Sequence, residues 1–254
     1  EDFSGWSVSL SSDGSVVAIS AYANDGNGDR SGHVRVYQID SITLEATIIS
    51  ASELISLDAQ YSGAVNASTI TTISGTYADL NIIYASNGIS GLGDEELTVT
   101  DSLSVSQANT LSELTSGVVT ATISEGKSSI LTSLIGTKNS YTIVIADEMI
   151  SAKELSTINK KTSSSVDASN VISVIGNIDQ INLVYEENLN GDFTGLGNED
   201  IIITDTSIAA NILNTVNEYT DGKINIYFPL NITGNAADIN KAYAANAAGT
   251  IIGL

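Results

Sequence analysis

The chain has no cysteine, and only one proline, one tryptophan, one methionine and one histidine among 254 residues. Without cysteine there is no disulfide, no thiolate nucleophile and no Cys-ligated zinc or iron–sulfur cluster. A single imidazole, His33, leaves little scope for acid–base chemistry near neutral pH. Cations are scarce too: 9 Lys and Arg stand against 30 Asp and Glu, a formal net charge of −21. That balance argues against nucleic acid, whose binding rests on neutralising phosphates, and against an anionic membrane surface. Calcium and other cations are the partners it favours. No run of 18 apolar residues exists, so no membrane insertion is expected. The chain opens at Glu1, without a basic leader, in what reads as a strand-and-turn motif. Its numbering is expected to begin within a longer gene product or after processing.

What remains is aliphatic and hydroxylated. Hydrophobic residues make up 42% and aromatics only 6%, so the core must be built from Ile, Val, Leu and Ala. With 35 Ser and 24 Thr, the composition suits a β-rich, regularly packed body.

Residues 1–40 form one compositional unit. Trp6, Val8 and Leu10 alternate with serines, and Val16 to Ala21 and Gly32 to Tyr37 come after Asp-Gly and Gly-rich turns. Three short strands in a β meander are the simplest reading. So small a sheet has little core of its own and needs a partner surface, in this chain or outside it.

From residue 49 the chain repeats itself. Ile49-Ser50-Ala51-Ser52-Glu53-Leu54 returns as Ile150-Ser151-Ala152-Lys153-Glu154-Leu155, and Val65-Asn66-Ala67-Ser68 as Val166-Asp167-Ala168-Ser169, an offset of 101. Gly91-Leu92-Gly93-Asp94-Glu95 returns as Gly195-Leu196-Gly197-Asn198-Glu199 at an offset of 104. Gly75, Gly176 and Gly234 are each followed by Asn at +6 and Tyr at +9. The unit is 47 to 57 residues, present four times with boundaries 49–101, 102–148, 149–205 and 206–254; the second copy departs most from the pattern.

Within one unit, Ser102 or Ser104 caps a helix with Ala108, Leu111 and Leu114 on one face, stopped at Gly117 in a left-handed position. Val118 to Ile123 reads as a strand, Ile130 to Ile135 as a second helix, and Tyr141 to Ile145 as a second strand. Helix alternates with strand at about 25 residues per pair, which points to parallel crossovers. The expected fold is therefore α/β: a repetitive solenoid of mostly parallel strands and short helices, preceded by the small antiparallel meander. A parallel β-helix is the alternative.

Three groups of residues are candidate sites. Asp25, Asn27 and Asp29 set side-chain oxygens at alternate positions of a Gly-rich turn, as calcium requires, against the plainer reading of a polar hairpin. Asp94, Glu95, Glu199 and Asp200 sit at the Gly-Leu-Gly turns. Stacked into a column they would repel one another and call for calcium; singly they would face water. Asn81, Asn182 and Asn240, with Tyr84, Tyr185 and Tyr243, read as a structural ladder between units, the tyrosines packing beneath with hydroxyls at the rim. Trp6 reads as a core or docking residue. No catalytic constellation emerges, and no enzyme activity is expected.

Segment 5–37 resembles one blade of the FG-GAP-like, integrin-type β-propeller repeats of bacterial surface proteins. In that family the matching loop is a calcium-binding hairpin, which the resemblance carries onto Asp25, Asn27 and Asp29. Residues 49–254 are similar to the tandem repeats of giant secreted and cell-surface proteins of marine cyanobacteria and related bacteria. The likeness lies in Gly75 to Tyr84, Gly234 to Tyr243 and the two Gly-Leu-Gly turns. It implies adhesin, surface-layer or matrix components, extracellular or at the cell surface.

The function expected is thus structural: copies of the chain assembled end to end into a fibre, sheath or surface layer. The alternative is an adhesin stalk or glycan-binding module taking surface glycans, which an exposed aromatic pair near Trp6, Tyr22 or Tyr37 would support. A polysaccharide lyase or hydrolase on a parallel β-helix would need a cleft with clustered acids and basic residues, whereas the nine cations read as spread along the chain.

Overall fold

A computed structural model describes residues 3–12, 16–22, 28–38, 41–228 and 231–254. It divides into two compact units, residues 1–100 with 114–117, and residues 101–113 with 118–254. The chain is mixed α/β, with mostly parallel strands, short helices and one antiparallel meander.

The first unit opens with the meander, β1 (Phe3–Leu10), β2 (Val16–Tyr22) and β3 (His33–Gln38). Its strands pair antiparallel in that order, with a register break between Ser4 and Ser7. Val8, Leu10, Val34, Val36 and Tyr37 are all exposed, so both faces of this sheet carry open apolar residues. Then come β4 (Ile42–Thr43), β5 (Ile48–Ser50), α1 (Ala51–Gln60), β6 (Val65–Asn66), β7 (Thr72–Gly75), α2 (Tyr77–Ala85), β8 (Ile89–Ser90) and β9 (Glu96–Leu103); the end of β9 and all but the last residue of α3 (Val105–Leu114) belong to the second unit. Strands β5, β7 and β9 run parallel: Ile48 pairs Thr72 and Thr72 pairs Glu96, a step of 24 residues each time. A second row, β4, β6 and β8, keeps nearly the same period, with Ile42 on Val65 and Val65 on Ile89.

The second unit continues with β10 (Val119–Ile123), α4 (Ser128–Leu131), β11 (Ser140–Thr142), β12 (Met149–Ser151), α5 (Ala152–Asn159), β13 (Val166–Asp167), β14 (Ser173–Gly176), α6 (Ile178–Leu189), β15 (Phe193–Thr194), β16 (Asp200–Ile203), β17 (Ser207–Ala209), α7 (Ala210–Val216), β18 (Ile224–Ile226), β19 (Asn231–Thr233), α8 (Ala236–Ala248) and β20 (Ile251–Ile252). Strands β12, β14, β16, β18 and β20 form one parallel sheet in that order. β10 pairs with β11, β13 with β15 and β17 with β19, all parallel.

Sequence explains the elements locally. Along β10, Val119, Ala121 and Ile123 are buried while Thr120 and Thr122 are exposed. Leu97 and Val99 of β9 repeat this against Thr98 and Thr100. Period-two alternation lays one face on the core and the threonines on the other, which accounts for the abundance of hydroxyls. Each buried Ile or Leu contributes roughly 1.5–3 kcal/mol relative to exposure, and these supply the aliphatic core. Ser50 and Ser151 cap α1 and α5 in reciprocal boxes with Glu53 and Glu154. Thr76, Asn177 and Asn235, each directly after a repeated glycine, cap α2, α6 and α8.

The second copy differs from the pattern expected of it. Its second helix is only Ser128–Leu131, and its second strand covers Ser140–Thr142, with Val144 making a single bridge to Asp167. Ser104 is the residue that caps α3: its hydroxyl accepts from the Gln107 N–H at 3.2 Å.

Candidate functional site

Each Gly-Leu-Gly turn is a junction between three successive segments. Gly91 has φ +84° and an added Cβ would lie 2.7 Å from the Ser68 nitrogen; Gly195 has φ +85° and a Cβ there would lie 2.5 Å from the Ser169 Cα. The left-handed backbone and the close approach both demand glycine. The two repeated motifs therefore dock on each other. Asn66 accepts the Ser68 N–H at 3.1 Å, Asp167 accepts the Ser169 N–H at 2.9 Å, and the Gly-Leu-Gly turn of the same repeat packs on that serine. The Ser169 hydroxyl and, after it, the Ser169 N–H hold the Asp167 carboxyl below the usual carboxylate range.

On its other side the turn receives the next segment of the chain. The Thr115 hydroxyl donates to the Glu95 carbonyl at 2.6 Å, and the Thr220 hydroxyl to the Glu199 carbonyl at 2.7 Å. Ser116 N–H bonds the Gly93 carbonyl and Asp221 N–H the Gly197 carbonyl, both at 2.8 Å. Gly117 is not left-handed as its sequence context suggests. It is glycine because a Cβ would meet the Glu95 carbonyl oxygen at 2.3 Å, and Gly222 meets Glu199 in the same way. A third copy, Thr162 to Ser164 on Asn139 to Tyr141, uses the same bonds without a Gly-Leu-Gly turn.

The acidic residues of the turns part company. Glu95 and Glu199 are each 1% exposed, against the expectation that these acids face water or line up in a column. Their Oε2 atoms turn back onto their own turns: Glu95 accepts from Gly93 N–H at 2.8 Å and Asp94 N–H at 3.2 Å, Glu199 from Gly197 N–H at 2.8 Å and Asn198 N–H at 3.0 Å. In each turn two backbone N–H donors hold one oxygen of the buried carboxylate. Asp94 is not buried with them, and Asp200 accepts the Lys223 N–H at 2.8 Å. Among the described residues no three His, Asp or Glu side chains converge as a metal site. Asp25 and Asn27 lie outside the described residues; Asp29 is exposed.

Neither Asn81 nor Asn182 bridges units through its amide. Asn81 donates to the Tyr77 carbonyl and Asn182 to Glu186, each within its own helix, and Asn240 is exposed. Different asparagines span successive segments: Asn109 to Ser133, Asn139 to Val119, Asn170 to Ile145 and Asn214 to Asp238. Spacing alone does not separate the two kinds, because a helix-internal amide repeats as faithfully as a bridging one.

The tyrosines divide by the segment that covers them. Tyr185 is 1% exposed, stacked on Tyr219 with centroids 5.6 Å apart, and its hydroxyl bonds the Glu199 carboxylate, buried and not at a rim. Burial, the Glu199 charge and this bond push the Tyr185 hydroxyl far above its ordinary pKa. Tyr84 is half-buried, and its hydroxyl and Glu95 Oε1 are both buried without a hydrogen-bond partner. Tyr243 is 52% exposed.

Two surface features depart from the expectations set out above. Trp6 is no core residue: it is 71% exposed beside Tyr22, 62% exposed, with ring centroids 5.5 Å apart over a cleft that includes Ser20 and His33. The nine cations are also not evenly spread, since Lys153, Lys160 and Lys161 fall within one stretch of nine residues. Lys153 and Lys160 line a cleft between α5 and α6. No family model matches the chain, and no curated protein or solved structure does either. No helix of the described residues is long and apolar enough to cross a membrane.

Proposed function

We propose that this chain is a structural segment of an extracellular or cell-surface protein, an α/β solenoid whose copies stack end to end into a fibre, sheath or surface layer. The observation that carries this reading is the exposure of Tyr243. At the same repeat position Tyr185 is covered by the turn that comes after it, whereas Tyr243 stands 52% exposed. Around it Ala236, Ala237, Ala244, Ala247 and Ala248 of α8 are exposed, and the neighbouring edge strand β20 presents Ile252 at 43%. A face that is core in one repeat and open in another fits a further repeat, and a second copy of the chain supplies repeats of that kind. We place calcium at the 25–29 loop, because Glu95 and Glu199 are buried and each has one carboxylate oxygen held by its own backbone.

Light scattering with and without a chelator tests this. Linear assemblies are expected, and Tyr243→Lys, which alters only an exposed side chain, should reduce them to monomers. Dissociation on chelation would add the calcium loop to the contact. A 26.4 kDa monomer at every concentration would overturn the stacking reading.

A second reading has its own support. The exposed Trp6–Tyr22 pair is the kind of aromatic surface on which a sugar ring stacks, and it favours a glycan-binding role for the meander. Loss of binding to a glycan array in Trp6→Ala, with assembly unchanged, would separate the two roles.

A further inference from the structure

Setting the repeats side by side at their 101-residue offset reveals one abrupt change of chemistry. The groove between α5 and α6 is lined by Lys153, Ser156, Thr157, Lys160, Gln180 and Leu183, around a volume of about 240 Å³. Three of these positions carry Ser52, Ala59 and Asp79 in the first repeat. Ser to Lys, Ala to Lys and Asp to Gln each make the groove one unit more positive, and all three fall on one concave surface. In a chain with only 9 cations and a net charge of −21, such a concentration is not a solvated average.

The cations are available. Among the described residues the ion pairs are Lys127–Asp147 and Lys241–Glu218, and neither Lys153 nor Lys160 takes part in one. They stand seven residues apart, Lys153 in the first turn of α5 and Lys160 at its C-cap, about two turns further on. The Thr157 hydroxyl donates to the Lys153 carbonyl at 2.7 Å, which leaves its oxygen able to accept from a ligand hydroxyl. The Ser156 hydroxyl donates to Glu187 at 3.0 Å, which holds one oxygen of that acid, while the other is buried without a hydrogen-bond partner. Leu183, exposed on α6, adds an apolar surface opposite the ammonium groups.

We infer that the α5–α6 groove binds one anionic sugar unit, a carboxylate- or sulfate-bearing residue of an acidic polysaccharide. Two ammonium groups take the anion, Thr157 and Gln180 address hydroxyls, and Leu183 meets the apolar face of the ring. The groove is smaller than the roughly 300–1,000 Å³ of drug-sized pockets, which suits a single ring. The net charge of the chain opposes anions at a distance, but at physiological salt that field is screened beyond about 8 Å and the local pair decides. This site stands independently of end-to-end stacking.

The test is titration calorimetry of the whole chain with trigalacturonate, a sulfated disaccharide, maltotriose and inorganic sulfate. One acidic sugar per chain is expected, weakening as salt rises, with maltotriose and sulfate at least tenfold weaker. Whether the carboxylated or the sulfated probe binds tighter identifies the source. The variant K153S/K160A/Q180D installs residues that the first repeat already folds with, and should lose at least tenfold in affinity at an unchanged melting temperature. S52K/A59K/D79Q should add a second site, raising the stoichiometry from one to two. Equal binding of inorganic sulfate, no binding of either acidic sugar, or unchanged affinity in the first variant would each overturn the proposal. Binding of polyglutamate in place of the sugars would overturn it too, and would assign the groove to an acidic segment of another chain.

Discussion

The turn at residues 91–95 and the turn at 195–199 share their glycines, their buried glutamate and the threonine that docks on them, yet only the second engages its tyrosine. Both Glu95 and Glu199 accept two backbone N–H bonds from their own turn, and both offer a carbonyl to a threonine hydroxyl. Tyr185 reaches Glu199, whereas the Tyr84 hydroxyl and Glu95 Oε1 go unpartnered. Backbone docking is thus the invariant part of the junction. The tyrosine–carboxylate bond is an addition that one copy completes and another leaves open.

If docking is the invariant part, breaking it should cost most and cost the same in both copies. Gly91→Ala and Gly195→Ala place a Cβ at positive φ and against serine backbone, about 2–5 kcal/mol each. That corresponds to a fall in melting temperature of roughly 5–20 °C, read by differential scanning calorimetry. A large loss at one turn and none at the other would show that the two junctions are not equivalent.

The tyrosine should discriminate where the glycine does not. Tyr185→Phe leaves Glu199 Oε1 buried without its donor, a loss of about 1–3 kcal/mol. Tyr84→Phe removes a hydroxyl that has no partner, so the change is expected near zero or slightly stabilising. The alkaline limb sharpens this. Because the Tyr185 hydroxyl is raised above its ordinary value, its contribution is fully present below about pH 10 and is lost as pH rises further. Burial raises Tyr141 likewise, to about 12, so Tyr185→Phe should flatten the decline between pH 10 and 12 only in part. Equal effects of the two phenylalanine variants would contradict the asymmetry.

Much of this junction was legible as repetition and little of it as chemistry. The strands and helices follow from period-two and helical spacing, and β10 and α3 lie within a few residues of their expected limits. Copy two misleads because Tyr141 to Ile145 has the apolar content of a strand, but its ladder covers Ser140–Thr142 and Val144 adds a single bridge to Asp167. Glu95 and Glu199 escape a sequence reading because an acid beside glycines ordinarily faces water, and only the three-dimensional turn shows backbone donors converging on it. Ser50 and Glu53 match Ser151 and Glu154 as a repeat, although the same three-residue spacing is also a capping signature. The cluster at Lys153 and Lys160 is visible without any structure. It lies in residues that break the repeat, and periodicity draws the eye to those that keep it.

The capping boxes give the smallest contrast. Ser50 bonds Glu53 through its hydroxyl at 2.9 Å and its N–H at 3.2 Å, and these two bonds, in that order, hold the Glu53 carboxyl below the usual range. A carboxylate with a depressed folded value stabilises above its unfolded pKa, near 4.3, and loses that contribution as pH falls through the folded value. Glu53 is exposed, so water screens the bond and the effect is slight. Ser50→Ala should therefore lower stability at neutral pH and also shallow the decline below pH 4, because the variant has less left to lose. Ser151→Ala tests the sister box, where Ser151 bonds Glu154 at 2.7 Å through its hydroxyl. There the Ser128 hydroxyl also donates to Glu154 at 3.3 Å, so its carboxylate keeps a donor when Ser151 is lost. Chemical denaturation at pH 3 and pH 7 reads the difference, and an identical acid limb in wild type and Ser50→Ala would rule out Glu53 as a source of the pH dependence.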